Sequence, residues 1–385
     1  MDFDLTDEQN LLKETVDRLV ADNYGTLEQI TAHRAAPGGF REEGWQRLAE
    51  LGLLGLPFSE ADGGFNGGPV ETQIVMEALG RGLAPEPYLP TVLLGGGVLR
   101  RAGTDAQRQS IIPGIIDGTL RLAFAHTEPR ARYDLHDVAT QAVRQPDGSY
   151  RLDGHKSVVL SADTARWFVV SARTAGARRD EEGISLFLVP ADAPGLSVEA
   201  YPTHDGGRAG NVFLAGVTVP ADALIGERDA GLAVIEWVNG VAIAAVAAEA
   251  VGIMEALQAL TVDYLKTRRQ FGATIGSFQA LQHQTVDILI ATEQARSMSY
   301  FAAMMLDEPD AGARSLALSS AKVQINRSAR LVGQKAVQLH GGIGMTMEYL
   351  GAHYFRRLAL LETQFGDTTH HLRRVAQSEG LVQAG

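Results

Sequence analysis

Thr267-Arg268-Arg269-Gln270-Phe271-Gly272 is the stretch on which the reading of this 385-residue chain turns. Leading into it, Ile243, Val246, Ala247, Ala250, Met254, Leu257, Thr261 and Tyr264 recur at three- and four-residue spacing. That spacing predicts one long helix with a single buried stripe, ending at Gly272. Ala244, Ala245, Ala247 and Ala248 keep it slim enough for neighbouring helices to approach closely. Helical periods are expected again over residues 278–306, 312–339 and 362–379. A second glycine-bearing stretch, Gln338-Leu339-His340-Gly341-Gly342-Ile343-Gly344, closes the middle one of these.

Upstream of Gly231 the period changes. Ser149-Tyr150-Arg151-Leu152-Asp153-Gly154, Trp167-Phe168-Val169-Val170 and Ile184-Ser185-Leu186-Phe187-Leu188-Val189 are short β-prone runs between Gly, Pro and Asp clusters, which predicts an antiparallel barrel or sandwich. Residues 173–183, with Arg178-Arg179-Asp180-Glu181-Glu182, read as a solvated hairpin loop. Further upstream, Thr6-Asp7-Glu8-Gln9-Asn10-Leu11-Leu12 joins a capping residue to early acids and helical apolar spacing. The fold class is thus α+β, mostly α: an N-terminal helical domain (1–119), a middle β-domain (120–230) and a C-terminal helical domain (231–385).

Composition narrows the function. The balance of 34 basic and 46 acidic residues, net −12, repels a phosphate-rich polymer, so nucleic acid is not an expected partner. With no cysteine, disulfide frameworks, zinc ribbons and thiol chemistry are excluded. His370-His371 are adjacent, so they diverge on a helix and make no metal clamp; no metal site is expected. The opening Met1-Asp2-Phe3-Asp4-Leu5 is no secretory leader, and Glu249 and Glu255 interrupt the alanine-rich stretch, so no membrane span and a cytoplasmic location are expected.

His126-Thr127-Glu128-Pro129, Asp153-Gly154-His155-Lys156, residues 219–226 (Val-Pro-Ala-Asp-Ala-Leu-Ile-Gly), the Arg-Arg-Gln-Phe-Gly run, Ser277-Phe278-Gln279 and the 338–344 stretch occur in one order along the chain. In that order and spacing the chain resembles the acyl-CoA dehydrogenase family from end to end. The resemblance implies a C-terminal four-helix bundle that assembles dimers or tetramers. It also implies FAD shared between the β-domain of one subunit and the C-terminal domain of its neighbour. By resemblance, Arg268 pairs with the FAD pyrophosphate, Gln270, Phe271 and Phe278 line the adenosine side, and Gln338, Gly341 and Gly342 bring backbone close to the cofactor.

The other implied half departs from the family pattern. Where relatives have Thr-Glu-Pro-x-Ala-Gly-Ser-Asp, Thr127 is kept but Arg132-Tyr133 replace Gly-Ser, and an aromatic-Ile-Thr motif reads Val158-Val159-Leu160. Desaturating an acyl-CoA needs a base for the α-proton, yet the family's two base positions are Phe365 and Ala242, and a phenyl ring or methyl group accepts no proton. Glu249, Glu362 and Asp367 are the nearest substitute carboxylates in sequence. The resemblance implies the small, β-type subunit of a heteromeric acyl-CoA dehydrogenase, similar to small subunits of pimeloyl-CoA and sterol-side-chain dehydrogenases. Its implied partners are a base-bearing paralogue, an acyl-CoA substrate and an electron-transfer flavoprotein. A homo-oligomeric flavoenzyme with a displaced base and a non-catalytic structural paralogue are the alternatives.

Overall fold

A computed structural model describes residues 5–378; Glu379, placed above in the last helix, and the opening residues 1–4 lie outside the described residues. Among these, six α-helices come first: α1 (Asp7–Tyr24), α2 (Leu27–Arg34), α3 (Glu42–Glu50), α4 (Pro69–Gly82), α5 (Gly96–Ala102) and α6 (Asp105–Ile116). The β region follows with β1 (Leu122–Ala125), β2 (Gln141–Arg144), β3 (Tyr150–Leu160), β4 (Trp167–Arg173), β5 (Ile184–Pro190), β6 (Leu196–Pro202), β7 (Arg208–Val219) and β8 (Leu224–Ile225). The chain continues through α7 (Gly231–Thr267), a hairpin of β9 (Arg269–Gln270) and β10 (Ala273–Thr274), α8 (Gln279–Met304), α9 (Ala311–His340), α10 (Leu350–Thr363) and α11 (Thr368–Ser378). The helix–β–helix order and mostly α content are as periodicity predicts.

Internal contacts group the chain into two compact units, with the boundary inside α7 between Ala242 and Ile243. One unit, residues 34–67 and 85–242, holds the sheet, in the order β6-β7-β3-β2-β4-β5-β8 with β1 beside β4. Its core is the inward face of those strands, led by Leu152, Phe168, Val170, Phe187, Val212 and Val217. The sheet is not purely antiparallel: β1 and β2 both run parallel to β4. A parallel pairing needs a crossover, which short β-runs in sequence do not reveal.

The other unit takes the chain up to His33, residues 68–84 and the chain from Ile243. α1 starts on a capping box in which Thr6 and Gln9 exchange side-chain and backbone bonds. α4 and α7 touch backbone to backbone, since a Cβ on Gly252 would lie 1.9 Å from the Glu77 carbonyl and one on Gly80 2.3 Å from that of Glu249. The predicted stripe of α7 is buried from Ile243 to Thr261. The helix stops at Thr267, short of Gly272, because the hairpin begins there.

Two further expectations are corrected. The stretch 362–379 is not one helix: α10 ends at Thr363 and α11 begins at Thr368, broken where Phe365 and Gly366 take positive φ of 57° and 117°. α7 does contain a window long and apolar enough to cross a membrane, with 89% of it buried inside the protein. Glu249 and Glu255 are both paired with arginines, Glu249 with Arg357 and Glu255 with Arg81 and Arg296.

Candidate functional site

The end of α7 builds the first half of the site. The Arg268 N–H donates to Tyr264 O (2.8 Å), and the chain then folds back with Gln270 opposite Ala273 and Arg269 opposite Thr274. The two-residue turn between them is Phe271-Gly272, with φ of 55° and 79°. Positive φ at both positions matches the twist of a tight hairpin. Glycine adopts it freely, whereas Phe271 bears a penalty of roughly 1–2 kcal/mol. Its ring is 91% exposed, and its one aromatic neighbour is Phe278, edge-on at 6.3 Å.

The second half comes from the end of α9. Gly341 leaves the helix at φ 63°, and a Cβ added to Gly341 or Gly342 would meet nothing within 4 Å, so this backbone is bare. Between the two ends lies a groove of about 310 Å³ lined by Tyr264, Arg268, Gln270, Gln284, Gln338 and Gly341, among others. The structure therefore brings together Arg268, Gln270, Gln338 and Gly341, with Gly342 the next residue. Phe271 and Phe278 pair beside the hairpin instead of lining the groove, and Thr127 belongs to the other compact unit. No hydrogen bond or ion pair engages the Arg268 guanidinium among the described residues. An unpaired arginine, three amides and bare glycine backbone fit a pyrophosphate-bearing ligand, whose oxygens match the guanidinium fork.

Sequence reasoning missed Tyr264 as a lining residue and missed Gln284 altogether; the run Gln279, Gln282, Gln284 at the start of α8 was the available signal. His340 is buried between the rings of Tyr264 and Tyr349, at 4.7 and 4.9 Å, and its Nδ1–H donates to Ala336 O (2.8 Å). Burial holds its pKa below the ordinary histidine value, so it supports the glycine turn as a neutral ring.

The two base positions hold apolar residues. Half-buried Phe365 packs against Ile243, Ala244, Ala302, Leu318 and Ala321, and Ala242 is fully buried. The three substitute carboxylates have other partners. Glu249 makes a two-pronged ion pair with Arg357 (2.5 and 2.9 Å), Asp367 accepts from His370 N at the start of α11 (2.7 Å), and Glu362 accepts from Thr368 Oγ1 (3.5 Å).

In the β-bearing unit, Glu128 has a structural task that sequence did not disclose. Its carboxylate accepts from Ala139 N (2.8 Å), Thr140 N (3.0 Å) and the fully buried Lys156 Nζ (2.7 Å), which fastens the 128–140 loop. Burial pushes its pKa up, but the Lys156 charge and these hydrogen bonds outweigh that and hold it at about 2. Arg173 gathers the carbonyls of His136, Val138, Arg178, Asp180 and Glu182, while Arg178 and Arg179 pair with buried Asp137. The 173–183 stretch is the β4–β5 hairpin loop, solvated over residues 175–182 as expected, and these bonds also pin it. Arg132 and exposed, β-branched Val158 take φ of 51° and 53°, so strain gathers at both positions where the sequence departs from the family pattern.

A helical–β–helical chain with a groove at its helix ends that fits a pyrophosphate-bearing ligand is the architecture of a flavin-dependent dehydrogenase. Family models for the N-terminal, middle and C-terminal domains of acyl-CoA dehydrogenase match residues 6–119, 123–215 and 229–379, and the chain belongs to the acyl-CoA dehydrogenase family. It is 30% identical to the probable acyl-CoA dehydrogenase YngJ of Bacillus subtilis (strain 168), over the whole of both chains. Similar solved structures include the ChsE4–ChsE5 complex from Mycobacterium tuberculosis (TM-score 0.87, 27% identity, the whole of both chains). Another is the FAD complex of PigA (TM-score 0.90, 27% identity, 99% of this chain and all of that one).

Proposed function

We propose that this chain is the base-lacking subunit of a heteromeric, FAD-dependent acyl-CoA dehydrogenase, completing its partner's cofactor site in trans. The observation that carries this reading is the contrast between two sets of residues. The groove residues Arg268, Gln270 and Gln338 and the bare backbone at Gly341 are ready for a ligand, while Phe365 and Ala242 stand where a base is needed and Glu249 is consumed by Arg357. The likeness to the ChsE4–ChsE5 complex supports a second, different chain as partner. Arg268 would hold the pyrophosphate, Gln270 and Gln338 the nucleotide, and Phe271 and Phe278 the adenosine edge; bound FAD supplies the two-electron acceptor for α,β-desaturation of an acyl-CoA. Electrons would pass to an electron-transfer flavoprotein.

The test is co-production with a base-bearing paralogue. One FAD per pair of chains, with desaturase activity in the heteromer and none in this chain alone, is expected, because general-base catalysis contributes about 10²- to 10⁴-fold. Robust turnover by the isolated chain would refute the reading.

A further inference from the structure

His340 ends α9 and lines the groove one residue before the bare backbone of Gly341. Three segments enclose its buried ring: Tyr264 of α7, Tyr349 at the start of α10, and the glycine turn, where a Cβ on Gly344 would lie 3.0 Å from His340 Cβ. With Nδ1–H committed to Ala336 O, the neutral ring leaves Nε2 as an acceptor, and that atom is buried with no hydrogen-bond partner among the described residues. Such an orphan is costly and calls for a reason. The carbonyl of Leu260, one turn before Tyr264 on α7, also acts on the ring, and a carbonyl only accepts. Two carbonyls therefore compete for an imidazole that, when neutral, donates to only one. Protonation gives each its donor. What opposes it is burial, which keeps the ring neutral in spite of both carbonyls. No charged side chain enters that balance: the titratable neighbours are the two tyrosines, Asp263 beside Tyr349, and Arg268 in the groove wall.

We propose that His340 is a proton-linked positioning residue: when a pyrophosphate-bearing ligand fills the groove, the ring takes up a proton and clips the end of α9 to α7, fixing the spacing of Gln338 and Gly341 from Arg268. This rests on the reading of the groove as a pyrophosphate site and adds the coupling of that site to protons. The ligand's negative charge offsets the burial that keeps the ring neutral, since a nearby anion favours the imidazolium. The imidazolium in turn adds a second cation to a groove whose one permanent cation is Arg268. Linkage is reciprocal: a ligand that raises the proton affinity of His340 is itself held more tightly as pH falls. A histidine that serves only as packing shows neither effect.

The experiment is calorimetric titration of the full-length chain with ADP-ribose, whose pyrophosphate is a diester and does not itself titrate near neutral pH, in buffers of different ionisation heat. Wild type is expected to take up protons on binding and to bind more tightly as pH falls from about 8 to about 6, by up to about tenfold per unit. His340→Gln is expected to lose both the uptake and the pH dependence. Binding by wild type without proton uptake, or equal uptake by His340→Gln, overturns the proposal and leaves the groove standing as a pyrophosphate site. Failure of wild type to bind ADP-ribose refutes the groove reading and the proposal together. If His340→Gln does not fold, nitrogen-15 spectra of histidine-labelled wild type decide the matter. On addition of ADP-ribose one ring should pass from the singly to the doubly protonated form, and no such change in any of the 10 histidines overturns the proposal.

Discussion

Arg268→Ala tests the proposed cofactor-binding role of the groove with the least disturbance to the fold. The guanidinium is exposed and makes no internal bond, so its removal unpairs nothing, and Tm should stay within about 1 °C of wild type as for other exposed substitutions. Its effect on ligand is another matter. The other residues lining the groove are Tyr264, Ile275, Leu281, Leu339, His340, Gly341 and the glutamines, so no second permanent cation replaces it. A charge-assisted hydrogen bond contributes roughly 1.5–3 kcal/mol. FAD retention by the assembled complex should therefore fall about ten- to a hundredfold. Arg268→Lys should recover part of this, because the charge remains and the fork is lost. Arg144→Ala, on exposed β2, is the control; Arg178 is unsuitable because it pairs with buried Asp137. Flavin fluorescence released on dialysis measures the effect. Equal retention by wild type and Arg268→Ala would show that the groove does not hold the pyrophosphate.

Other perturbations test the framework. Lys156→Met leaves the Glu128 carboxylate buried with only backbone donors and should cost about 3–5 kcal/mol in urea unfolding. The stabilisation from Glu128, whose folded pKa of about 2 lies below its ordinary 4.5, is fully present above pH 4.5 and lost as pH falls towards 2, so acid unfolding should be steeper in wild type than in Lys156→Met. Glu77 titrates the other way: burial and the neighbouring Glu255 raise its pKa, so its ionised form is penalised once pH exceeds that raised value. Glu77→Gln should therefore gain stability relative to wild type at pH 7 and show no gain at pH 4, read as Tm at both. Gly252→Ala drives a methyl into the Glu77 carbonyl and should cost about 1–3 kcal/mol despite alanine's better helix propensity; an unchanged Tm would refute the close α4–α7 approach.

The stripe from Ile243 to Thr261 and the glycine stretch were legible because periodicity and glycine placement are local properties. What escaped was non-local. Gly366 looks like any helix-region glycine until His371 is seen to occupy the space of its missing Cβ. Glu128 and Lys156 are 28 residues apart, and nothing in either segment announces the ion pair that fastens the loop. Arg173 reads as one more charge in a polar loop, yet its guanidinium is the template on which two loops set. α10 was missed because its apolar positions follow a glycine- and methionine-rich turn and carry no capping residue, Tyr349 being its N-cap without a side-chain bond.

The two left-handed phenylalanines differ in what offsets their strain, and the difference yields a final prediction. Phe365 is held from within, by His371 and the packing of its ring. Phe271 has no such return, since its ring is 91% exposed and its carbonyl and amide sit in a two-residue turn that Asn-Gly would form more easily. In the proposed subunit role, the compensation for this strain would come from the adenosine edge of the cofactor or from the partner subunit. Phe271→Asn should therefore stabilise the isolated chain by about 1 kcal/mol while lowering flavin retention by the assembled complex. Urea unfolding of the chain alone and flavin content of the heteromer read the two effects independently. Destabilisation of the isolated chain would mean that the ring contributes internally, and unchanged flavin retention would mean that the hairpin tip does not reach the cofactor site.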